Sequence, residues 1–316
     1  MDMALIEDLY YWMLLGRHFE YAAKENYFQG NISGFLHLDI GQEALSVGAM
    51  KAFEGDVFTT YREHVMALSR GMSANAVMAE LFGKVDGVSK GRGGSMHMFS
   101  PELGFYGGDA IVGGHIPNAV GCAYARKYQD KKTGCLVVFG DGATNCGGFF
   151  ESINIATSQK LPLVFLCENN KYAIGTKIET VSAFSKQAKK VEAYMPTVEV
   201  DGMDVLAVYK AIKKAGEYIK EGKGPIFVEA MTCRFEGHSI SDANKYRSSQ
   251  EMKKCKELDP LTKLKPLLDK VFVEKIEAKV IREITEAVSF ANASLEPSLA
   301  DLNKYIFTNE GLKHAL

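Results

Sequence analysis

The sequence predicts an α/β fold with a mostly parallel central sheet and helical extensions at both ends. Three observations carry that prediction. Two short runs, 135–139 (CLVVF) and 162–167 (PLVFLC), are apolar throughout rather than at alternate positions, as in strands buried on both faces of a parallel sheet. Strand-like and helix-like segments alternate through the middle of the chain, as βαβ crossovers require. Near the C-terminus Ile276, Val280, Ile284 and Val288 recur every four residues, the stripe of a helix lying on the body of the protein.

Taken in order, residues 4–28 read as an amphipathic helix rich in aromatic residues, ending toward Gly30 and Gly34. Further helices are expected over 42–52 and 73–82, the latter with Ser73 as its N-cap. From Gly83 to Gly121 eleven of 39 residues are glycine. Glycine costs backbone entropy on ordering, so this density argues for left-handed turns or backbone held close to something bound. Interleaved Met96, Met98, Phe99, Phe105 and Tyr106 argue against a free spacer. After the strand at 135–139 come the turn GDG (140–142), a helix over about 148–159, the strand 162–167 and ENN at 168–170. A strand at 197–200, a helix at 204–221 and a strand at 226–231 continue the alternation. The C-terminal stripe, extended by Val273 and Ala291, predicts a helix of about five turns. No internal repeat or linker breaks the chain, so residues 1–316 are expected to form one domain with helical extensions.

Bulk properties exclude several classes. A formal net charge of -2 supplies no global positive field for nucleic acid. The short apolar stretch near the N-terminus follows Glu7 and Asp8 and is interrupted by Arg17 and His18, so it is neither a signal peptide nor a membrane span. Cysteines at 122, 135, 146, 167, 233 and 255 lack CxxC or zinc-like spacing and are expected to be reduced.

The most informative segment is 140–170, GDGATNCGGFFESINIATSQKLPLVFLCENN. Asp141 follows the carboxyl end of one buried strand and Asn170 that of the next, and those ends line the ligand crevice of an open parallel sheet. A carboxylate and an amide oxygen brought together there suit Mg²⁺, a hard cation that commonly keeps phosphate oxygens in its shell. The helix starting near Gly147 would turn its free N–H groups toward the same phosphates.

GDG followed by NN after 26 intervening residues resembles the thiamine-diphosphate enzymes, and nearly the entire chain is similar to the E1 α subunits of 2-oxo acid dehydrogenase complexes. The resemblance implies the three-layer thiamine-diphosphate-binding fold, with thiamine diphosphate and Mg²⁺ as cofactors. It implies that Asp141, the Asn170 side chain and the Tyr172 carbonyl hold the metal, and that Gly142 and Ala143 offer N–H groups to the diphosphate. Asn145 lies close to that terminus. Tyr61 and Arg62, in TYREH, would touch the diphosphate; a guanidinium fork and a phenol hydroxyl both suit phosphate oxygens. The segment 105–117 would take the aminopyrimidine through backbone groups around Ala110 and Val112, where many relatives carry glycine in place of Ala110.

His37, in GFLHLDIGQEA, and His238, in FEGHSISD, match two histidines that in this family face the reactive carbon, where an imidazole can donate or accept a proton near neutral pH. The resemblance makes both catalytic and places His238 at the cofactor as well. His64, His97 and His115 are expected to play supporting parts. Residues 233–257 are expected to be a loop that closes over the site, with Ser239 matching a serine that mitochondrial members phosphorylate.

In two-chain members the activating glutamate belongs to a β subunit, so an E1 β partner in an α₂β₂ heterotetramer is implied, with the lipoyl domain and core of E2 as acyl acceptor. The expected reaction is oxidative decarboxylation of pyruvate with acetyl transfer. Acetoin and branched-chain 2-oxo acids are the alternative substrates, since single pocket side chains decide between them. The absence of a transit-peptide pattern, with Lys245 where mitochondrial members carry serine, gives the expectation of a bacterial cytoplasmic protein. Two other classes compete. A plain nucleotide-binding domain would show GxGxxG after an early strand, which is absent; a non-catalytic assembly subunit would have lost the residues named above.

Overall fold

The computed structural model describes residues 2–131, 133–301 and 304. Six strands form one all-parallel sheet: β1 (Gly55–Thr60), β2 (Phe105–Asp109), β3 (Gly134–Gly140), β4 (Leu163–Asn169), β7 (Thr197–Asp201) and β8 (Ile226–Met231), in the order β2-β1-β3-β4-β8-β7. A two-stranded hairpin of β5 (Tyr172–Ala173) and β6 (Thr176–Lys177) follows β4.

The apolar runs of β3 and β4 sort themselves by parity. Leu136, Val138, Val164 and Leu166 enter one core, whereas Cys135, Val137, Phe139, Phe165 and Cys167 enter the other. Alternate residues of a strand face opposite sides, so a sheet covered on both faces must be apolar at every position. The first core is closed by α1 (Met3–Phe28), α2 (Glu43–Ala52), α3 (His64–Arg70), α4 (Ala74–Leu81), α8 (Val205–Lys220) and α11 (Lys270–Ala293). The second is closed by α5 (His115–Tyr128) and α6 (Gly147–Ser158). Helix, sheet and helix make the three layers expected. Short helices α7 (Ile178–Val181), α9 (Ser249–Lys256) and α10 (Pro260–Leu264) connect the rest. Among the described residues no helix is long and apolar enough to cross a membrane.

Several expectations need correction. Ser73 precedes α4, but its side chain makes no cap hydrogen bond. The loop expected over 233–257 ends as α9, capped by the Ser248 hydroxyl accepting from Glu251 N. The terminal helix runs for 24 residues rather than five turns, because Asp269 caps it upstream of the apolar stripe. Cys233 and Cys255 form a disulfide; one follows β8 and the other lies on α9, a pairing made by the tertiary fold that no local spacing signals. The other four cysteines are free.

The glycine-rich stretch has a physical cause the sequence did not reveal. Its later part is the strand β2 and the helix α5. Its earlier part wraps the fully buried carboxylate of Glu80, which accepts N–H groups from Gly93 (2.7 Å) and Gly94 (3.0 Å) on one oxygen and Ser89 (2.8 Å) and Gly91 (2.9 Å) on the other. A Cβ on Gly87 would collide with that carboxylate, so glycine is what permits the close wrap.

Candidate active site

A cavity of about 310 Å³ opens at the carboxyl ends of β1, β3, β4 and β8, where ligand crevices of parallel sheets lie. It is lined by all eleven residues named from the sequence: His37, Tyr61, Arg62, Ala110, Val112, Asp141, Gly142, Ala143, Asn170, Tyr172 and His238. A larger cavity, of about 730 Å³, lies between residues 71–73 and 88–103 and contains none of them.

At one end stand Asp141 and Asn170. Asp141 is buried, and its Oδ2 has no hydrogen-bond partner. Burial pushes its carboxyl up from the ordinary value to about 6. An unpaired buried carboxylate oxygen is costly unless a cation meets it. The two asparagines of ENN do different work. Asn169, fully buried, donates to Glu229 Oε1 (2.7 Å) and accepts from Lys171 N (3.0 Å), securing the turn after β4. Asn170 lines the cavity. Its amide nitrogen donates to Gln42 Oε1 (3.0 Å), which also accepts from the Thr232 hydroxyl (3.1 Å), and Tyr172 N donates to Asn170 Oδ1 (3.1 Å). Lys171 adopts the left-handed conformation, φ 72°, returning the chain to Tyr172. Gly142 packs so closely on Ala173 that a Cβ would lie 2.6 Å from the Ala173 methyl. The orphaned Asp141 oxygen beside an oriented amide is a donor set that fits an oxygen-loving divalent cation.

At the other end three rings cluster. The His37 centroid lies 4.6 Å from Tyr61 and 5.1 Å from His238, and Tyr61 lies 5.4 Å from His238. Burial, then the Arg62 charge, lowers His37 to about 2 and His238 to about 4. Both rings are therefore neutral near pH 7, each able to donate through one nitrogen and accept through the other. They meet because the extended segment 36–40 receives the 235–240 loop along one edge. Ile240 N donates to Leu36 O (2.9 Å) and Phe235 N to Ile40 O (2.8 Å). Arg62 completes the seam, donating to Leu38 O and to His238 O (2.8 Å). Arg62 is thus a structural clasp as well as a cavity residue, a part the sequence did not suggest. The His238 loop is tied internally: Asp242 accepts from His238 N (2.6 Å) and the Tyr246 hydroxyl (2.7 Å), and Arg234 donates to that hydroxyl oxygen (2.8 Å).

The family model for the dehydrogenase E1 component matches residues 11–300. The chain belongs to the dehydrogenase E1 component family. It is 44% identical over 317 residues to a pyruvate dehydrogenase E1 component subunit alpha of Porphyra purpurea, covering 95% of this chain and 92% of that one. A protein of the same description from Rhizobium meliloti (strain 1021) is 45% identical over 300 residues, covering 92% and 86%. The human mitochondrial somatic form is 40% identical over 311 residues, covering 95% and 79%.

The supporting histidines divide. His115 Nε2 donates to Val138 O (2.8 Å), a packing role at the start of α5. His97 faces Gly108 O (3.2 Å). His64 lies between Glu20 Oε2 (2.9 Å) and Ser95 Oγ (2.8 Å). Sequence reasoning missed Arg234 and the site role of Glu168, both of which line the cavity. Glu168 is buried, one oxygen lacks a partner, and burial pushes its carboxyl up to about 7. Its place at the end of β4, one strand over from Asp141, was the signal that could have found it. For Arg234, in a stretch with no periodicity, the sequence holds no comparable signal.

Proposed function

We propose that this chain is the α subunit of a pyruvate dehydrogenase E1 component, an oxidoreductase that uses thiamine diphosphate and Mg²⁺ and works with a β subunit in an α₂β₂ assembly. It would decarboxylate pyruvate and pass the acetyl group to the lipoyl group of E2. The observation that carries this reading is the pairing, in one cavity, of an unpartnered Asp141 carboxylate oxygen beside Asn170 with two neutral imidazoles at the opposite end. When bound, the cofactor supplies the electron sink for decarboxylation. Asp141, Asn170 Oδ1 and the Tyr172 carbonyl would hold the metal. Gly142, Ala143, Tyr61 and Arg62 would receive the diphosphate, and the backbone at Ala110 and Val112 the aminopyrimidine. His37 and His238 would hold and move protons at the substrate's carbonyl oxygen.

The β partner is supported by exposed apolar side chains. Ile111 (70% exposed) stands beside Val112 of the cavity lining, and Tyr124, Tyr128 (86% exposed), Phe150 and Ile155 stand out from α5 and α6. An apolar face of this kind marks a partner surface. Pyruvate is supported by the names of the relatives above; nothing observed favours acetoin or a branched substrate. Retention of Asp141, Asn170, Arg62, His37 and His238 speaks against a non-catalytic subunit. The decisive experiment assembles the chain with its β partner and measures Mg²⁺- and thiamine-diphosphate-dependent turnover of pyruvate, acetoin and a branched 2-oxo acid in parallel. Selective turnover of pyruvate is expected. Selective turnover of acetoin would overturn the substrate, and no turnover from a verified assembly would overturn the enzyme.

A further inference from the structure

The extended segment 36–40 has two edges. One receives Arg62 and the 235–240 loop, as described. On the other, the N–H groups of residues 37 and 39 point the same way, as alternate residues of an extended chain must. Among the described residues no strand lies there to accept them. Instead His37 N donates to Ser95 Oγ (3.2 Å) and Asp39 N donates to Glu20 Oε1 (2.9 Å). His64 bridges the two acceptors, with Nδ1 2.9 Å from Glu20 Oε2 and Nε2 2.8 Å from Ser95 Oγ. The three side chains come from α1, α3 and the glycine-rich stretch, the segment itself contributing backbone N–H groups alone, and Glu20 and His64 are fully buried.

We infer that Glu20, His64 and Ser95 form a closed hydrogen-bonded ring that stands in for a missing strand and positions His37. A carboxylate only accepts, so the proton on the near side of the imidazole sits on His64 Nδ1. A neutral ring with that tautomer pairs every atom. The Ser95 hydroxyl donates to Nε2 while its lone pair takes the His37 N–H, and both Glu20 oxygens are filled. A wholly buried ring of this kind is rigid when every member is satisfied and fails when one is removed.

His37 needs such a device because its own ring has no other anchor. Its Nδ1 is buried without a hydrogen-bond partner, and the ring is held by packing on Tyr61 and His238. Its position is then inherited from its backbone. Ser95 is in turn set by Glu80, whose carboxylate holds the N–H groups of residues 89, 91, 93 and 94 just before it. Glu20, His64 and Ser95 are therefore positioning residues, acting on the reaction through His37. The catalytic consequence rests on the function proposed above; the positioning itself does not.

The test uses the assembled α₂β₂ enzyme carrying Ser95→Ala, Ser95→Thr and Glu20→Gln. For Ser95→Ala we expect kcat to fall on the order of ten- to a hundredfold, as a misplacement of about 1 Å at a reacting group does. KM for pyruvate and the affinity for Mg²⁺–thiamine diphosphate should stay within about twofold, since the cation end is untouched. Ser95→Thr, which keeps the hydroxyl, should restore most of the rate. Imidazole resonances followed by NMR supply a readout independent of turnover: those of His37 should move in Ser95→Ala and return in Ser95→Thr. Unmoved His37 resonances in Ser95→Ala would overturn the inference, as would a threonine variant no better than alanine. Should Ser95→Ala not assemble, the isosteric Glu20→Gln carries the same expectations in smaller degree, and an unmoved His37 there overturns it equally. If the His37 resonances move while pyruvate turnover is absent even in the parent assembly, the proposed function fails and the positioning ring stands.

Discussion

The two ends of the cavity are built differently. The cation end is assembled from neighbouring strands: Asp141 and Asn170 follow β3 and β4, which pair directly, and 28 residues separate the two at most by one crossover helix, α6. The histidine end is assembled from segments far apart in the chain. His37 and His238 are brought together by a seam in which Arg62 reaches across 176 residues to His238 O. Topology fixes the first end, whereas contacts between distant segments, backbone as well as side-chain, fix the second. Damage at the cation end should therefore stay chemical, and damage at the histidine end should become geometric.

The largest effect is expected from Asp141→Asn. It removes the carboxylate proposed to ligate the metal, so Mg²⁺-dependent turnover should fall by more than about a hundredfold, the upper loss typical of mere outer-shell changes. Stability should move the other way. The Asp141 carboxyl is raised from 3.8 to about 6 in the folded chain, so its contribution is present at low pH and is lost as pH rises through about 6. At neutral pH the buried charge costs up to about 3 kcal/mol in the cation-free protein, by the linkage of about 1.4 kcal/mol per pKa unit. The asparagine variant should thus melt higher than the parent without Mg²⁺. In the parent, Mg²⁺ affinity should be level above about pH 6 and fall about tenfold per pH unit below it, as protons compete for the carboxylate. Titration calorimetry across pH measures this, and a level affinity at pH 5 would break the assignment.

The same contrast governs what was legible in the sequence. β3 and β4 could be read because burial on both faces leaves an unbroken apolar run at 135–139 and 162–167, and Asp141 and Asn170 because they sit at the ends of those strands. β1 and β2 were invisible: GDVFTT and FYGGD are short, mixed in polarity and rich in glycine, and their strand character comes from pairing with β3 and with each other. α5 was hidden by Pro117 and Gly121, which propensity disfavours and tertiary packing of Ile116, Ala119, Val120 and Ala123 overrides. His37 and His238 were found by resemblance alone, since nothing local marks a histidine held by packing. The carboxylates that organise the loops, Glu20 and Glu80, look in sequence like ordinary charges on helices; only their full burial shows their work.

A middle-sized effect is expected from His238→Gln. It removes a group able to give or take a proton, so kcat should fall on the order of 10²- to 10⁴-fold. Affinity for Mg²⁺–thiamine diphosphate should change little, because the proposed metal ligands Asp141 and Asn170, with Gly142 and Ala143, lie at the other end. Equal loss of both in rapid-quench and binding measurements would show that the two ends are one energetic unit, and the contrast drawn above would fail.

The smallest effect tests how much of the histidine end depends on its clasp. The Cys233–Cys255 bond closes a loop of 22 residues that carries Arg234, His238, Asp242 and Tyr246. By chain entropy such a closure restrains the unfolded loop by about 3 kcal/mol. Under reducing conditions the bond would open, leaving the loop to its hydrogen bonds: Arg247 to the carbonyls of Arg234 and Glu236, and Tyr246 to Asp242. Cys255→Ser should therefore raise the rate of proteolytic cleavage between 234 and 254 and lower kcat only a few-fold, with Mg²⁺ affinity unchanged. An unchanged cleavage rate would mean that the arginine and tyrosine network alone holds His238 in place. The histidine end would then be as firmly built as the cation end, by many weak ties in place of two strand termini.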